Sequence, residues 1–177
     1  MSKKWHFGCG NREFPGWLNT DCELDLEGPL GFGAGELSVA LGQHVIEHFS
    51  LSSGMQLCRA IHSALCPGGV LYLATPDMEK ICRHYVEGTI DVLIQDRQKR
   101  IPHWVLELHA PPSHFVNDLF HQRGEHKLLY DWPLMEWMLR EAGFSEIRRI
   151  DERTLVEEQH VPWRHDDAQA LYVKAIK

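Results

Sequence analysis

Two short strings in this chain carry residue types whose spacing does chemistry. The first apolar run, Trp5-His6-Phe7, stops in Gly8-Cys9-Gly10, and a lone carboxylate, Asp21, follows at the end of a second short run. A strand ending in two near-adjacent glycines lets backbone approach a ligand closely, and a carboxylate beyond the neighbouring strand accepts ribose hydroxyls. The pair points to a ligand that contains a nucleoside. The dinucleotide fingerprint asks for a third glycine where this chain has Glu13, and for an acidic residue about 20 positions further on. Asp21 lies only 11 positions beyond Gly10, too soon for a full helix between the strands, so nicotinamide and flavin dinucleotides are disfavoured.

The second string, His44-Val45-Ile46-Glu47-His48, matches His-x-x-Glu-His, the zinc motif of inverted metalloproteases. On a helix, His44 and His48 would share a face and meet a metal, with Glu47 as base. A motif without its structural context is weak, and zinc hydrolysis ranks low. Of the twelve histidines, His103, His109, His114, His121 and His126 crowd into one stretch at spacings that fit no standard zinc pattern, so no metal is expected. Cys9 has no neighbour in sequence that would lower its pKa, and packing is its simpler role.

The elements that must position these residues follow from apolar runs and their punctuation. Residues 4–8 read as a buried strand, 17–22 as a second after the Pro15-Gly16 turn, and 37–41 as a third ending at Gly42. Three strands in about forty residues leave little room for crossover helices. A helix start at 44–49 precedes a helix capped by Ser50 or Ser52, with Met55, Cys58, Ile61 and Leu65 on its apolar side; Pro67-Gly68-Gly69 ends it before the clear strand at 70–74. Asp77 caps a helix to about Val86, Gly88 breaks it, and a short helix spans 89–100. A further helix starts at Asp131, with Pro133 in its first turn and Gly143 after its end; 145–150 and 170–176 are closing strands.

With 177 residues, 44% of them apolar, the chain reads as one globular domain able to bury a core, and no run is long and uncharged enough to span a membrane. The five cysteines are odd in number and never in Cys-x-x-Cys spacing, which favours reduced thiols; with no apolar leader after Met1, a cytoplasmic location is expected. A net charge of −7 argues against broad nucleic-acid binding and leaves room for a homodimer.

Six stretches in order resemble the class I S-adenosylmethionine-dependent methyltransferases, in particular the small type 11 group of predicted methyltransferases. They are Phe7-Gly8-Cys9-Gly10, Pro15-Gly16-Trp17-Leu18-Asn19-Thr20-Asp21, His44-Val45-Ile46-Glu47-His48-Phe49, Leu65-Cys66-Pro67-Gly68-Gly69-Val70-Leu71, Thr75-Pro76-Asp77 and Leu139-Arg140-Glu141-Ala142-Gly143-Phe144. They cover the chain except for about 78–128, expected to be a substrate-side insert or lid. The resemblance implies an α/β Rossmann-like fold, a mostly parallel sheet of about six strands with an antiparallel C-terminal pair.

It also implies site roles. S-adenosylmethionine would meet Gly8, Cys9 and Gly10 beneath its methionine part, Asp21 at the ribose, Asp25-Leu26 at the adenine edge, and Gly42-Gln43-His44 at the methionine end. His6 stands where the family often has a carboxylate. His44 and His48 are the candidate bases, with Asp77 facing the same mouth; His114, His126 and Tyr130 are candidate contacts to a small-molecule or glycan acceptor. The rival from another class is a non-catalytic methyltransferase-like binding or assembly module.

Overall fold

The computed structural model describes residues 2–101 and 110–177. Six strands form one sheet: β1 (Lys3–Phe7), β2 (Leu18–Thr20), β3 (Leu37–Gln43), β4 (Leu65–Pro76), β5 (Glu146–Ile150) and β6 (Ala170–Ile176). Their order is β2-β1-β3-β4-β6-β5, with β2, β1, β3 and β4 parallel and β6 antiparallel to both neighbours. The expected α/β architecture with six strands and an antiparallel C-terminal pair is present.

Strand alternation divides the core in two. Trp5, Phe7, Leu71, Leu73 and Val173 face one side, packed with α1 (Leu51–Ala64) and α5 (Trp132–Glu141). Leu41, Tyr72, Ala74 and Tyr172 face the other, covered by Phe14, Val161 and Leu155 of α6 (Glu152–Gln159). No helix lies between β1 and β2 or between β2 and β3; loops 8–17 and 21–36 replace the crossover helices usual between parallel strands. α2 (Met78–Val86), α3 (Ile90–Arg100) and α4 (Pro112–His121) build a satellite cluster around Ile81, Leu93, Phe115 and Leu119. Among the described residues no helix is long and apolar enough to cross a membrane.

The caps are local chemistry. Ser50, not Ser52, opens α1 by accepting from Ser53 N, and Asp77, Asp131 and Asp151 do the same for α2, α5 and α6. β4 starts earlier than the apolar run predicts, because Leu65 already pairs with Leu37, so Pro67-Gly68-Gly69 lies inside the strand at a register shift.

Gly42 sits opposite Phe7 in the β1–β3 register, and a Cβ there would lie 2.2 Å from the Phe7 ring. Gly42→Ala should therefore cost about 1–3 kcal/mol through overpacking. Urea unfolding tests this; an unchanged midpoint would show that the ring moves aside freely.

Candidate functional site

The chain runs from β1 to β2 on one side and then to β3 on the other, so the connections diverge at the carboxyl ends of β1 and β3. Open α/β sheets bind ligands at such a switch point. A cleft of about 540 Å³ opens there, lined by Gly8, Asp21, Asp25, Leu26, His44 and Phe49 among others. Gly8 has φ +62, and a Cβ on it would lie 2.3 Å from Val45 Cγ2, so a side chain would be both strained and in collision. Across the cleft, Leu24 N donates to Asp21 O at 3.1 Å and Gly28 N to Asp25 O at 3.2 Å. These two turns carry both carboxylates along one rim, while Leu24 and Leu26 pack on the main core beneath.

His44 forms the junction between this cleft and the interior. Its φ is +59, a conformation that side chains rarely adopt, and its N–H donates to Ala74 O at 2.7 Å. The ring is bonded through Nε2, 2.7 Å from Asp166 Oδ2, while Nδ1 faces Glu47 Oε1 at 3.2 Å without an aligned hydrogen bond. Burial alone would lower its pKa, but the Asp166 and Glu47 carboxylates outweigh burial and raise it. Asp166, itself fully buried, is held well below the carboxylate range against its desolvation by His44, the Tyr172 hydroxyl and Arg164. The loop carrying it wraps the Glu152 carboxylate, which accepts from the backbone N–H groups of Arg164, His165 and Asp166.

Behind His44 and His48 lies a smaller cavity of about 190 Å³, whose wall includes Glu47, His126, Arg97, Arg100 and Arg164. His44 and His48 line both spaces. The backbone N–H groups of Lys127 and Leu128 donate to Glu47 O at 2.9 and 3.2 Å, which brings His126 against the Ile46–His48 turn. Burial lowers the His126 pKa.

The expected residues divide clearly. Gly8, Asp21, Asp25, Leu26 and His44 line the cleft together with His48, and His126 joins them from behind. His6, Cys9, Gly10, Gly42 and Gln43 do not line it. His6 faces the opposite side of the sheet from Trp5 and Phe7 and stacks on Phe14 with ring centroids 4.0 Å apart. Cys9 is buried, and desolvation raises its thiol pKa. Gly10 is an exposed turn residue with φ +54; Gln43 is buried at the end of β3.

Among the candidate bases, His44 has a buried carboxylate at each ring nitrogen. The Asp77 carboxylate is wholly occupied, Oδ1 as the α2 cap and Oδ2 with Arg149 at 2.8 Å. Among the candidate acceptor contacts, Tyr130 is a core residue whose hydroxyl meets Met138 Sδ at 3.7 Å. His114, in the first turn of α4, lines neither space, while His103 and His109 lie outside the described residues. The metalloprotease arrangement is not formed, because residues 46–48 make only a single 3-10 turn. Sequence reading missed Asp166, Glu152 and Thr75, which stand far from the motif and carry no spacing signal; Val45 and Phe49 lay within it.

No family model and no curated protein matches this sequence. Solved structures match its fold. A SAM-dependent methyltransferase from Thermotoga maritima aligns with a TM-score of 0.55 at 11% identity, over 100% of this chain and 83% of that one. A SAM-dependent methyltransferase from Archaeoglobus fulgidus gives 0.54 at 10% identity, over 99% and 86%. Phosphoethanolamine N-methyltransferase 2 from Haemonchus contortus, solved in complex with S-adenosyl-L-methionine, gives 0.52 at 13% identity, over 100% and 49%. Of two longer proteins, from Bordetella parapertussis and Nostoc punctiforme, the chain spans 44% and 37% of the length. The fold is thus the Rossmann-like α/β fold of these SAM-dependent methyltransferases, here with six strands and no helix between β1 and β2 or between β2 and β3.

Two stability measurements test the local physics. Asp166→Asn leaves His44 without its charged partner and should cost about 3–5 kcal/mol in urea unfolding, as breaking a buried pair does; a loss under about 1 kcal/mol would show that the pair does not hold the loop. Burial, reinforced by Arg164 and Arg12 and opposed by the Asn19 hydrogen bond, pushes the His6 pKa from 6.5 down to about 4. A depressed histidine contributes stability above pH 6.5 that is lost as pH falls toward 4, because the unfolded chain binds the proton more readily. Between about pH 7 and pH 5 this amounts to roughly 2 kcal/mol. His6→Gln should lose that part of the acid sensitivity; identical pH dependence in the variant would refute the assignment.

Proposed function

We propose that this chain transfers a methyl group from S-adenosylmethionine to an oxygen or nitrogen of a small molecule or glycan. The observation that carries the reading is the cleft at the β1/β3 switch point, where a glycine turn that admits no side chain faces a carboxylate rim. Its volume of about 540 Å³ falls within the roughly 300–1,000 Å³ of small-molecule sites. Asp21 would accept the ribose hydroxyls, Asp25 and Leu26 would meet the adenine, and backbone at Gly8 and Val45 would flank the methionine part. Once bound, the cofactor supplies a methyl group on a sulfonium, already a good leaving group.

The chain's own contribution is then positional. An acceptor would have to share the cleft with the cofactor, on its His44 and His48 side, where holding two reactants at near-attack distance removes much of the barrier. His44 acts by fixing the junction, not by taking a proton.

Calorimetry with S-adenosylhomocysteine tests the cofactor reading. The folded protein should bind it with micromolar affinity, and Asp21→Asn should weaken binding about ten- to a hundred-fold, the effect of losing roughly 1.5–3 kcal/mol of hydrogen bonding to a charged acceptor. No binding by folded protein would overturn the reading in favour of a non-catalytic binding or assembly module.

A further inference from the structure

We propose that Glu47, His48 and His126 form a binding site for one divalent first-row transition metal ion, of the zinc or cobalt type, in the wall between the cleft and the inner cavity. One ligand atom from each residue lies within 4.8 Å of the other two. Bonds of about 2.0–2.1 Å would set such atoms roughly 3–3.5 Å apart. The set is therefore assembled but slightly open.

A hydrogen bond at one nitrogen of each ring leaves the other to serve as the ligand atom. His126 Nδ1 lies 2.7 Å from Leu119 O, and His48 Nδ1 lies 3.2 Å from Glu125 O. A carbonyl only accepts, so each Nδ1 carries the hydrogen and each Nε2 of a neutral ring keeps its lone pair. Metal-ligating histidines are oriented by this same outer contact. The Glu47 side chain is fully buried; Oε2 accepts from Thr75 Oγ1 at 3.1 Å, whereas Oε1 makes no aligned hydrogen bond, although His44 Nδ1 is 3.2 Å away. A buried carboxylate oxygen with incomplete hydrogen bonding is costly, and a cation would relieve it.

The segments bearing these ligands are joined by backbone, through Lys127 N and Leu128 N to Glu47 O, so the set does not depend on a metal to come together. Two imidazoles and one carboxylate with further positions open suit zinc, cobalt or iron(II), not magnesium or calcium, which prefer all-oxygen sites. The guanidinium groups on the same cavity wall have acidic partners, Arg97 with Asp118, Arg100 with Asp96 and Arg164 with Asp166. The His-x-x-Glu-His string thus supplies a carboxylate and one histidine, while the third ligand comes from beyond α4. A role for the ion in holding an acceptor oxygen rests on the proposed methyl transfer; the site itself does not.

The test is calorimetric titration of chelator-treated, tag-free protein with Zn²⁺, together with the visible absorption of the Co²⁺ form. One ion per chain should bind, and His126→Ala and His48→Ala should each weaken binding by at least the roughly 10–100-fold that outer-shell changes cost. His84→Ala, an exposed histidine bonded to Thr89, should bind like the parent protein. Absence of binding, or affinity retained in both ligand variants, overturns the site. Should His126→Ala fail to fold, His48→Ala decides alone. S-adenosylhomocysteine affinity measured on the same samples separates the two readings. Retained nucleoside binding without zinc binding rejects the metal site alone, and the converse rejects the cofactor reading alone.

Discussion

Everything near the mouth of the sheet depends on one imidazole held between two buried carboxylates. His44 ends β3 in a left-handed conformation of a kind that costs on the order of 1–3 kcal/mol and persists only where the surroundings over-determine it. Asp166 and Glu47 supply that determination. Through Asp166 the ring is tied to Tyr172 on β6 and to the loop organised by Glu152; through Glu47 it is tied to Thr75 on β4. Burying ions is unfavourable unless geometry and additional hydrogen bonds compensate, and here each carboxylate has further partners. The direction in which the chain leaves His44 then sets Val45 under Gly8 and Phe49 in the cleft wall, so the outer cleft and the inner cavity share one anchor.

The same anchor explains how so short a chain keeps a switch-point cleft. Connections between β1, β2 and β3 carry no helices, and among the described residues one face of the sheet is covered by α6, Phe14 and neighbouring loop residues. What remains intact is the parallel core β1-β3-β4 and the carboxyl ends that meet the cleft. The loop from α6 to β6 both covers the thin face and delivers Asp166, which joins packing and site geometry in a single segment.

Much of this was legible in the sequence for definite physical reasons. Apolar runs punctuated by glycine and proline marked the strands, and Asp77 and Asp131 announced their helices because a cap is a one-turn interaction. α4 and α6 were missed: both are short, and α6 buries only Glu152 and Leu155. Strand alternation alone places His6 opposite Trp5 and Phe7, a simpler guide than its position beside the glycine turn. Asp77 satisfied both a site reading and a capping reading, and the capping hydrogen bonds prevailed. The His44–Asp166 contact spans 122 positions, beyond any local pattern. Of the rim residues, Asp21 was legible as a carboxylate closing the second short run, and Asp25 only through the resemblance.

A six-stranded sheet, a glycine turn packed against Val45 and a histidine anchor thus meet between a nucleoside-sized cleft and a smaller inner cavity. The central claim is that the cleft between the ends of β1 and β3 is a cofactor site. A crystal structure with S-adenosylhomocysteine tests this most directly. The ribose hydroxyls should lie on Asp21, the adenine beside Leu26 and the thioether beside His44. A ligand seated elsewhere on the sheet, or with its ribose away from Asp21, would contradict it.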